Sequence, residues 1–224
     1  MLLKIIRLFF KKDGTAQAIA MHRLIETLAE KNKRVICDSY AKNFVFGGSL
    51  FKLFGYKLNT FIIKSIIPGL HEHLIARTKY LDDIVKKNVT NGFKQYVILA
   101  AGYDSRANRL KMPSDLKIFE LDQSEVQKRK LAILDKIIPR SKKITYIDID
   151  FNEDNITNKL LNAGFNSKKN TIFTLEGLSQ YITKDSFSST LKEISQLTKK
   201  TKTTIFFSYT DIVINQSPKH LFGK

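Results

Sequence analysis

YVILAAGYDSRANRL, residues Tyr96–Leu110, passes from an unbroken apolar run into small residues, a glycine and an acidic turn. A continuous apolar run of this kind is how a strand buried on both faces of a parallel sheet reads. A glycine directly after it lets the backbone come close to a ligand. In α/β sheets, the carboxyl end of a strand opening into such a turn is where nucleotide-like ligands bind. One turn is compatible with many ligands, so its meaning depends on the rest of the chain.

Downstream the chain alternates. Short β-rich runs at Gln95–Ala101, Lys117–Leu121, Thr145–Ile149, Thr171–Leu175 and Thr203–Tyr209 are separated by helix-like stretches at Ser124–Lys136, Glu153–Ala163 and Lys184–Thr198. Ser124 with Gln127 reads as an N-cap and capping box, and Thr183 as the cap of the last helix. Strands alternating with helices predict right-handed crossovers and a mostly parallel sheet with helices on both faces, an α/β fold. Upstream, Ala16, Ala20, Leu24 and Leu28 recur at helical spacing in Thr15–Lys31. A second, more aromatic pattern in Asp38–Phe54 is interrupted at Gly47-Gly48, and the apolar Phe61–Ile67 stops at Pro68-Gly69. Glu72–Lys87 reads as a further helix. The expectation is one domain over residues 1–224: a helical extension (1–92), a core (93–211) and a short tail (212–224).

The 224 residues suit one α/β domain, and 43% hydrophobic with 26% charged residues are globular values. A formal net charge of +17 makes nucleic acid or an anionic membrane natural partners. The lysines are nevertheless scattered along the chain, with no basic stripe interleaved with aromatics, which favours a solvated Lys-rich surface. The single cysteine, Cys37, excludes an internal disulfide and any multi-cysteine metal site. It fits a reducing compartment, so a cytoplasmic location is expected. The opening MLLKIIRLFFKK has neither a spanning apolar run nor a small-residue cleavage site. It is compatible with a membrane-surface segment, but an ordinary packed first element is the favoured reading.

Acids stand at or just after the ends of successive strands: Asp104, Asp122 in FELDQ, Asp150 in IDID and Glu176 in TLEGL. Strand ends of a parallel sheet share one edge, so the four carboxylates are expected to face one crevice. An acid roughly 20 residues after the glycine turn can accept hydrogen bonds from two ribose hydroxyls. Clustered acids repel pyrophosphate and suit an adenosyl ligand that carries a cationic sulfur. Against this, Asp at a strand end is often only a cap for the next helix.

The ordered motifs ARTKYLDD (76–83), AAGYDSRANRL (100–110), FELDQSEVQKRK (119–130), DFN (150–152), LNAGF (161–165) and LEGLSQYI (175–182) resemble the leucine carboxyl methyltransferase-like family of class I S-adenosylmethionine-dependent methyltransferases. DSYA (38–41) is similar to that family's DPYA, and the resemblance spans roughly Thr15–Asp211. It implies a Rossmann-like class I methyltransferase sheet and S-adenosyl-L-methionine as cofactor. It also implies that Arg77 binds the cofactor's methionine carboxylate, a charge-assisted contact suited to a planar guanidinium. Gly102 would let the backbone approach the cofactor, and Asp122 would hold the ribose hydroxyls. Asp150 with the backbone of Phe151 would hold the adenine, and Glu176 would line the cleft near the reacting end. Arg106 and Arg109 match the motif too, with structural pairing to nearby acids as the favoured reading. Tyr181 is the one candidate on the substrate side, with buried packing as an equal alternative.

No catalytic base is assigned, because His22, His71, His73 and His220 fall outside the strand-end motifs. No metal is expected at His71-x-His73. The chain departs from the family pattern at Ala100, where glycine is usual, and at Ser39, where proline is usual. It also stops soon after the fifth strand, so truncated C-terminal strands and an exposed fifth-strand edge are expected, with a dimer or an edge-strand partner as one way to cover it. The leading functional expectation is an O-methyltransferase acting on a carboxylate or hydroxyl of a small molecule or peptide end. An inactive cofactor-binding remnant is the alternative, and a nucleic-acid-binding protein is a third.

Overall fold

The computed structural model describes residues 13–179 and 181–209. The expectations for MLLKIIRLFFKK and for the tail at 212–224 lie outside the described residues. Backbone contacts divide the chain into two units. Among the described residues, the first takes those up to Ile84 with Gly102–Lys111 and Arg129–Pro139; the second takes Val85–Ala101, Met112–Lys128 and those from Arg140 onward.

The second unit is built on a five-stranded parallel sheet: β1 (Gln95–Leu99), β2 (Lys117–Asp122), β3 (Ile144–Asp148), β4 (Thr171–Leu175) and β5 (Thr203–Phe207), in the order β3-β2-β1-β4-β5. β1 and β4 are buried along their whole length, as apolar runs in a parallel sheet require. Alternation sends Val97, Leu99, Phe119, Leu121, Phe173 and Leu175 to one face, where they form one core with Ile156 and Leu160 of α7 (Ile156–Asn162) and Ile194 of α8 (Lys184–Leu197). Phe165, from the LNAGF motif, joins this core with its ring 5.8 Å from that of Phe119 and 6.1 Å from that of Phe173. On the opposite face, the Thr204 hydroxyl donates to Asn88 Oδ1 at 2.8 Å, near the end of α4 (Leu70–Thr90). Helices therefore flank both faces of the sheet, as the alternation predicts. β5 is an edge of the sheet formed by the described residues.

The first unit is helical: α1 (Gly14–Thr27), α2 (Ala41–Phe44), α3 (Gly48–Ile66) and the first part of α4, with α5 (Arg106–Arg109) and the end of α6 (Ser124–Leu134). Its core gathers Ala20, Leu24, Ala41, Phe44, Val45, Tyr103 and Leu134. The interruption read at Gly47-Gly48 falls at the junction of α2 and α3, with Gly47 as the cap and Gly48 as the first residue of α3.

Two local expectations are corrected. Gln127 does not close a capping box on Ser124; its side-chain amide donates to the carbonyls of Glu120 and Ile147 at 2.9 and 2.8 Å, tying β2 to β3. The helix read from Glu153 begins only at Ile156, capped by Asn155, whose side chain accepts from the Asn158 N–H. The preceding residues are taken by a separate turn, in which the Glu153 and Asp154 amides both donate to the Asp150 carbonyl. Thr183 caps α8 as expected, accepting from the Ser186 N–H at 3.1 Å.

Candidate cofactor site

Strand order reverses between β1 and β4, the topological switch point at which parallel α/β sheets bind ligands. Three of the sequence-predicted acids lie at the carboxyl edge of this sheet. Asp122 is the last residue of β2; it is buried, and its Oδ1 accepts the Gln123 N–H at 2.7 Å. Glu176 is half-buried and directly follows β4. Asp150 lies just beyond β3; it is exposed, and its Oδ1 accepts the Asn152 N–H at 2.9 Å. Phe151 packs part of its ring against the sheet core.

Asp148 stands beside Asp122 in register, a neighbouring acid that the sequence reading passed over. The alternation of IDID carries the signal for it, since residues two apart in a strand share a face. The loop after β4 is held by Ser208, beyond the end of β5. Its hydroxyl accepts the Gly177 N–H at 2.8 Å, its carbonyl accepts the Ser179 hydroxyl at 3.1 Å, and its own N–H donates to the Leu175 carbonyl. Nothing local in E-G-L-S announces a partner some thirty residues onward, just past β5; only the strand pairing brings it there.

The turn after β1 begins at Ala100, whose φ of 53° is left-handed for a residue with a Cβ. The Ala101 N–H still donates to the Leu121 carbonyl, carrying the β1–β2 pairing into the turn. Gly102, the next residue in sequence, belongs to the first unit and has a φ of 46°.

The first unit shows what the paired acids and arginines of the motifs do. Asp82, the acid of RT-x-x-x-D, takes Arg106 Nε at 2.9 Å on one oxygen, and both terminal nitrogens of Arg109 on its two oxygens. Asp104 accepts the Arg106 N–H at 2.7 Å and pairs with its guanidinium. Asp104 is therefore one half of an ion pair, a correction to the expectation of four acids lining one crevice. Burial pushes its carboxyl up, but the cations of Arg106, Arg23 and Lys130 prevail and hold it down at about 2. Asp38, from DSYA, accepts Arg23 Nε at 2.8 Å and the Ser105 hydroxyl at 2.6 Å, while Arg23 Nη2 donates to the Tyr103 carbonyl. Burial raises this carboxyl too, and the Arg23 charge with the Ser105 hydrogen bond outweighs it, leaving it below the usual range. The motif arginines thus clamp residues 103–109, the structural pairing favoured from sequence.

Arg77 lies half-buried on α4, in the first unit. Tyr181 is 59% exposed, which sets aside buried packing as its role. His71 is held in a buried chain, 3.1 Å from His22 and 3.3 Å from Glu26, while His73 is exposed. Among the described residues, no three His, Cys, Asp or Glu side chains gather where they could hold a metal ion, and no helix is long and apolar enough to cross a membrane.

The acceptor-rich edge of the second unit fits an adenosyl ligand: carboxylates offer acceptors to ribose hydroxyls and an adenine amino group, and favour a nearby cation. Comparison with known proteins points the same way. A family model described as leucine carboxyl methyltransferase matches residues 16–195. A protein of Mycobacterium tuberculosis, provisionally named an S-adenosyl-L-methionine-dependent methyltransferase, is 35% identical over 177 residues, 75% of this chain and 57% of its own length. Proteins with the same provisional name from Mycobacteroides abscessus (34% identity; 75% of this chain, 54% of theirs) and Frankia alni (34%; 55% and 43%) are also similar. The chain spans about half the length of these curated relatives. With the family pattern matched over most of its length, this chain belongs to the leucine carboxyl methyltransferase family.

Proposed function

We propose that this chain binds S-adenosyl-L-methionine at the carboxyl edge of its sheet and transfers the methyl group to a carboxylate or hydroxyl oxygen of a small molecule or peptide end. The observation that carries this reading is the alignment of Asp122, Asp150 and Glu176 along the edge where strand order reverses, in a chain of this family. In the proposal Asp122 accepts from the ribose hydroxyls, Asp150 and the Phe151 backbone orient the adenine, and Glu176 lines the reacting end. Roles for Arg77, on the methionine carboxylate, and for Gly102, in close backbone approach, rest on the family resemblance. Tyr181, exposed beside the E-G-L-S loop, is the candidate on the acceptor side.

When bound, the cofactor supplies a methyl carbon on a cationic sulfur that leaves as a neutral thioether. The protein's task is then alignment and exclusion of water rather than strong base catalysis, because a carboxylate acceptor is already nucleophilic. Calorimetric titration with S-adenosyl-L-methionine tests the reading. Saturable binding supports it, and absence of binding overturns it. Transfer of a labelled methyl group into a host metabolite extract tests the reaction itself. Binding with no acceptor labelled would reduce the chain to a cofactor-binding module.

A further inference from the structure

Helix α3, in the first unit, is built inside out. Its buried residues include Asn59 and Thr60, 4% and 7% exposed, whereas Leu53 and Phe61 are 79% and 68% exposed. The buried polar groups are satisfied by the helix's own backbone. Asn59 Nδ2 donates to the carbonyls of Phe51 and Gly55 at 2.7 and 2.6 Å, and the Thr60 hydroxyl donates to those of Tyr56 and Lys57. These bonds surround a kink at Gly55, whose φ of 68° and ψ of 178° only glycine adopts readily. Leu50, Leu53 and Phe54 stand out before the kink, and Leu58, Phe61 and Ile66 stand out after it.

Isolated exposed apolar residues need no explanation, but a run of large ones along a helix marks an interaction surface. Its charges choose the partner. Every charged residue of α3 is a lysine, Lys52, Lys57 and Lys64, and the whole chain carries +17. Lys64 is paired with Glu72, while Lys52 and Lys57 are exposed. Two copies of this surface meeting about a two-fold axis would set lysines against lysines. A helix with bulky apolar residues and lysines, and no acid, matches an anionic lipid surface instead: the apolar side chains enter the headgroup–acyl boundary while the lysine stems reach the phosphates. It does not qualify as a spanning helix, so it would lie in the surface.

We propose that α3 docks this protein on anionic membrane, through Leu53 and Phe61 as apolar contacts and Lys52 and Lys57 as headgroup contacts. The test is co-sedimentation of the full chain with vesicles of phosphatidylcholine, with and without phosphatidylglycerol. Wild type is expected to sediment with the anionic vesicles. Leu53→Asp or Phe61→Asp should lower partitioning about tenfold or more, the loss expected when one large apolar contact is removed. Lys52→Glu with Lys57→Glu should abolish the preference for phosphatidylglycerol. Because the chain has no tryptophan, Phe61→Trp supplies a single reporter in a conservative variant, whose emission should shift to the blue on adding anionic vesicles. Failure to sediment, undiminished sedimentation of both aspartate variants, or an unshifted Trp spectrum would each overturn the proposal. So would concentration-dependent self-association of wild type that Leu53→Asp removes, which would make the partner a second copy.

Discussion

Motif acids of the two units differ in the contacts they make. In the first unit, Asp38, Asp82 and Asp104 lie against guanidinium groups of Arg23, Arg106 and Arg109, in a network that is nearly all buried. In the second, Asp122 and Asp150 accept backbone N–H groups of residues just beyond them at the ends of strands. A buried carboxylate shared by two arginines cannot be removed without leaving cations unpaired in low dielectric, so it belongs to folding. A carboxylate at a strand end that accepts neighbouring backbone amides can be removed with less harm to the fold, which suits the binding role proposed for it. The motifs that make this family recognisable therefore divide by unit into a clamp and a candidate site.

The sharpest way to break that division is Asp82→Ala. It removes the buried carboxylate that Arg106 and Arg109 share, leaving Arg106 to Asp104, and should cost about 3–5 kcal/mol of stability by urea unfolding. If the variant melts like wild type, the clamp is ornamental and the contrast between the units collapses.

The first unit should also carry most of the acid sensitivity. Burial lowers the His22 imidazole, the neighbouring His71 lowers it further, and Glu72 partly opposes them, to about 4 from an unfolded value of 6.5. The unfolded chain therefore binds a proton that the folded one rejects. Stability should fall as pH drops from about 6.5 to about 4, by about 3 kcal/mol. Asp104 acts in a lower window: its contribution is present above its unfolded value of 3.8 and is lost as pH falls toward about 2. His22→Gln should flatten the upper window in urea midpoints collected against pH and leave the lower one. A slope unchanged in that variant would move the upper effect to other groups.

Asp122→Ala sharpens the other side of the comparison. S-adenosyl-L-methionine affinity should weaken by ~1–3 kcal/mol, the cost of losing a hydrogen-bonding partner, with a smaller change in melting. A large loss of stability with unchanged affinity would place Asp122 with the clamp.

These contrasts also explain what was legible in the sequence. Strand positions were, because burial on both faces writes itself as apolar runs: Thr171–Leu175 is a strand over the range its pattern indicates, and the other strands end within two residues of theirs. The strand-end acids were legible for the same reason, since a run that stops at an acid puts that acid on the edge. The arginine pairing was legible only as a tendency. That Arg109 reaches Asp82, 27 residues earlier, comes from how distant segments pack and leaves no local trace. Gln127 misled because its spacing from Ser124 suits a local cap, whereas carbonyls of two strands offer it stronger satisfaction in a buried place. α3 was legible only in pieces, its start within the helix-like Asp38–Phe54 and its end within the apolar run Phe61–Ile67, and not as an inverted helix, because periodicity tells where apolar residues fall around an axis and not which side is covered.

Ala100 gives the smallest effect and the most direct view of the site. Its left-handed backbone costs a residue with a Cβ roughly 1–2 kcal/mol, at the position where the family usually has glycine. Ala100→Gly removes that cost, but it frees the unfolded chain by ~0.5–1 kcal/mol and gives up a partly buried methyl that touches the sheet core. The balance is a net stabilisation of about 0.5 kcal/mol, measurable by urea unfolding against wild type. A destabilised variant would mean that methyl packing, and not the turn's backbone, decides the residue. The titration then separates two meanings of the strain. If Ala100→Gly is more stable and binds S-adenosyl-L-methionine as well as wild type, the alanine is a tolerated flaw in the turn. If stability rises while affinity falls, the methyl group is stiffening the turn for its ligand, and stability is being given up at the one edge where the two units' division of labour says it should be.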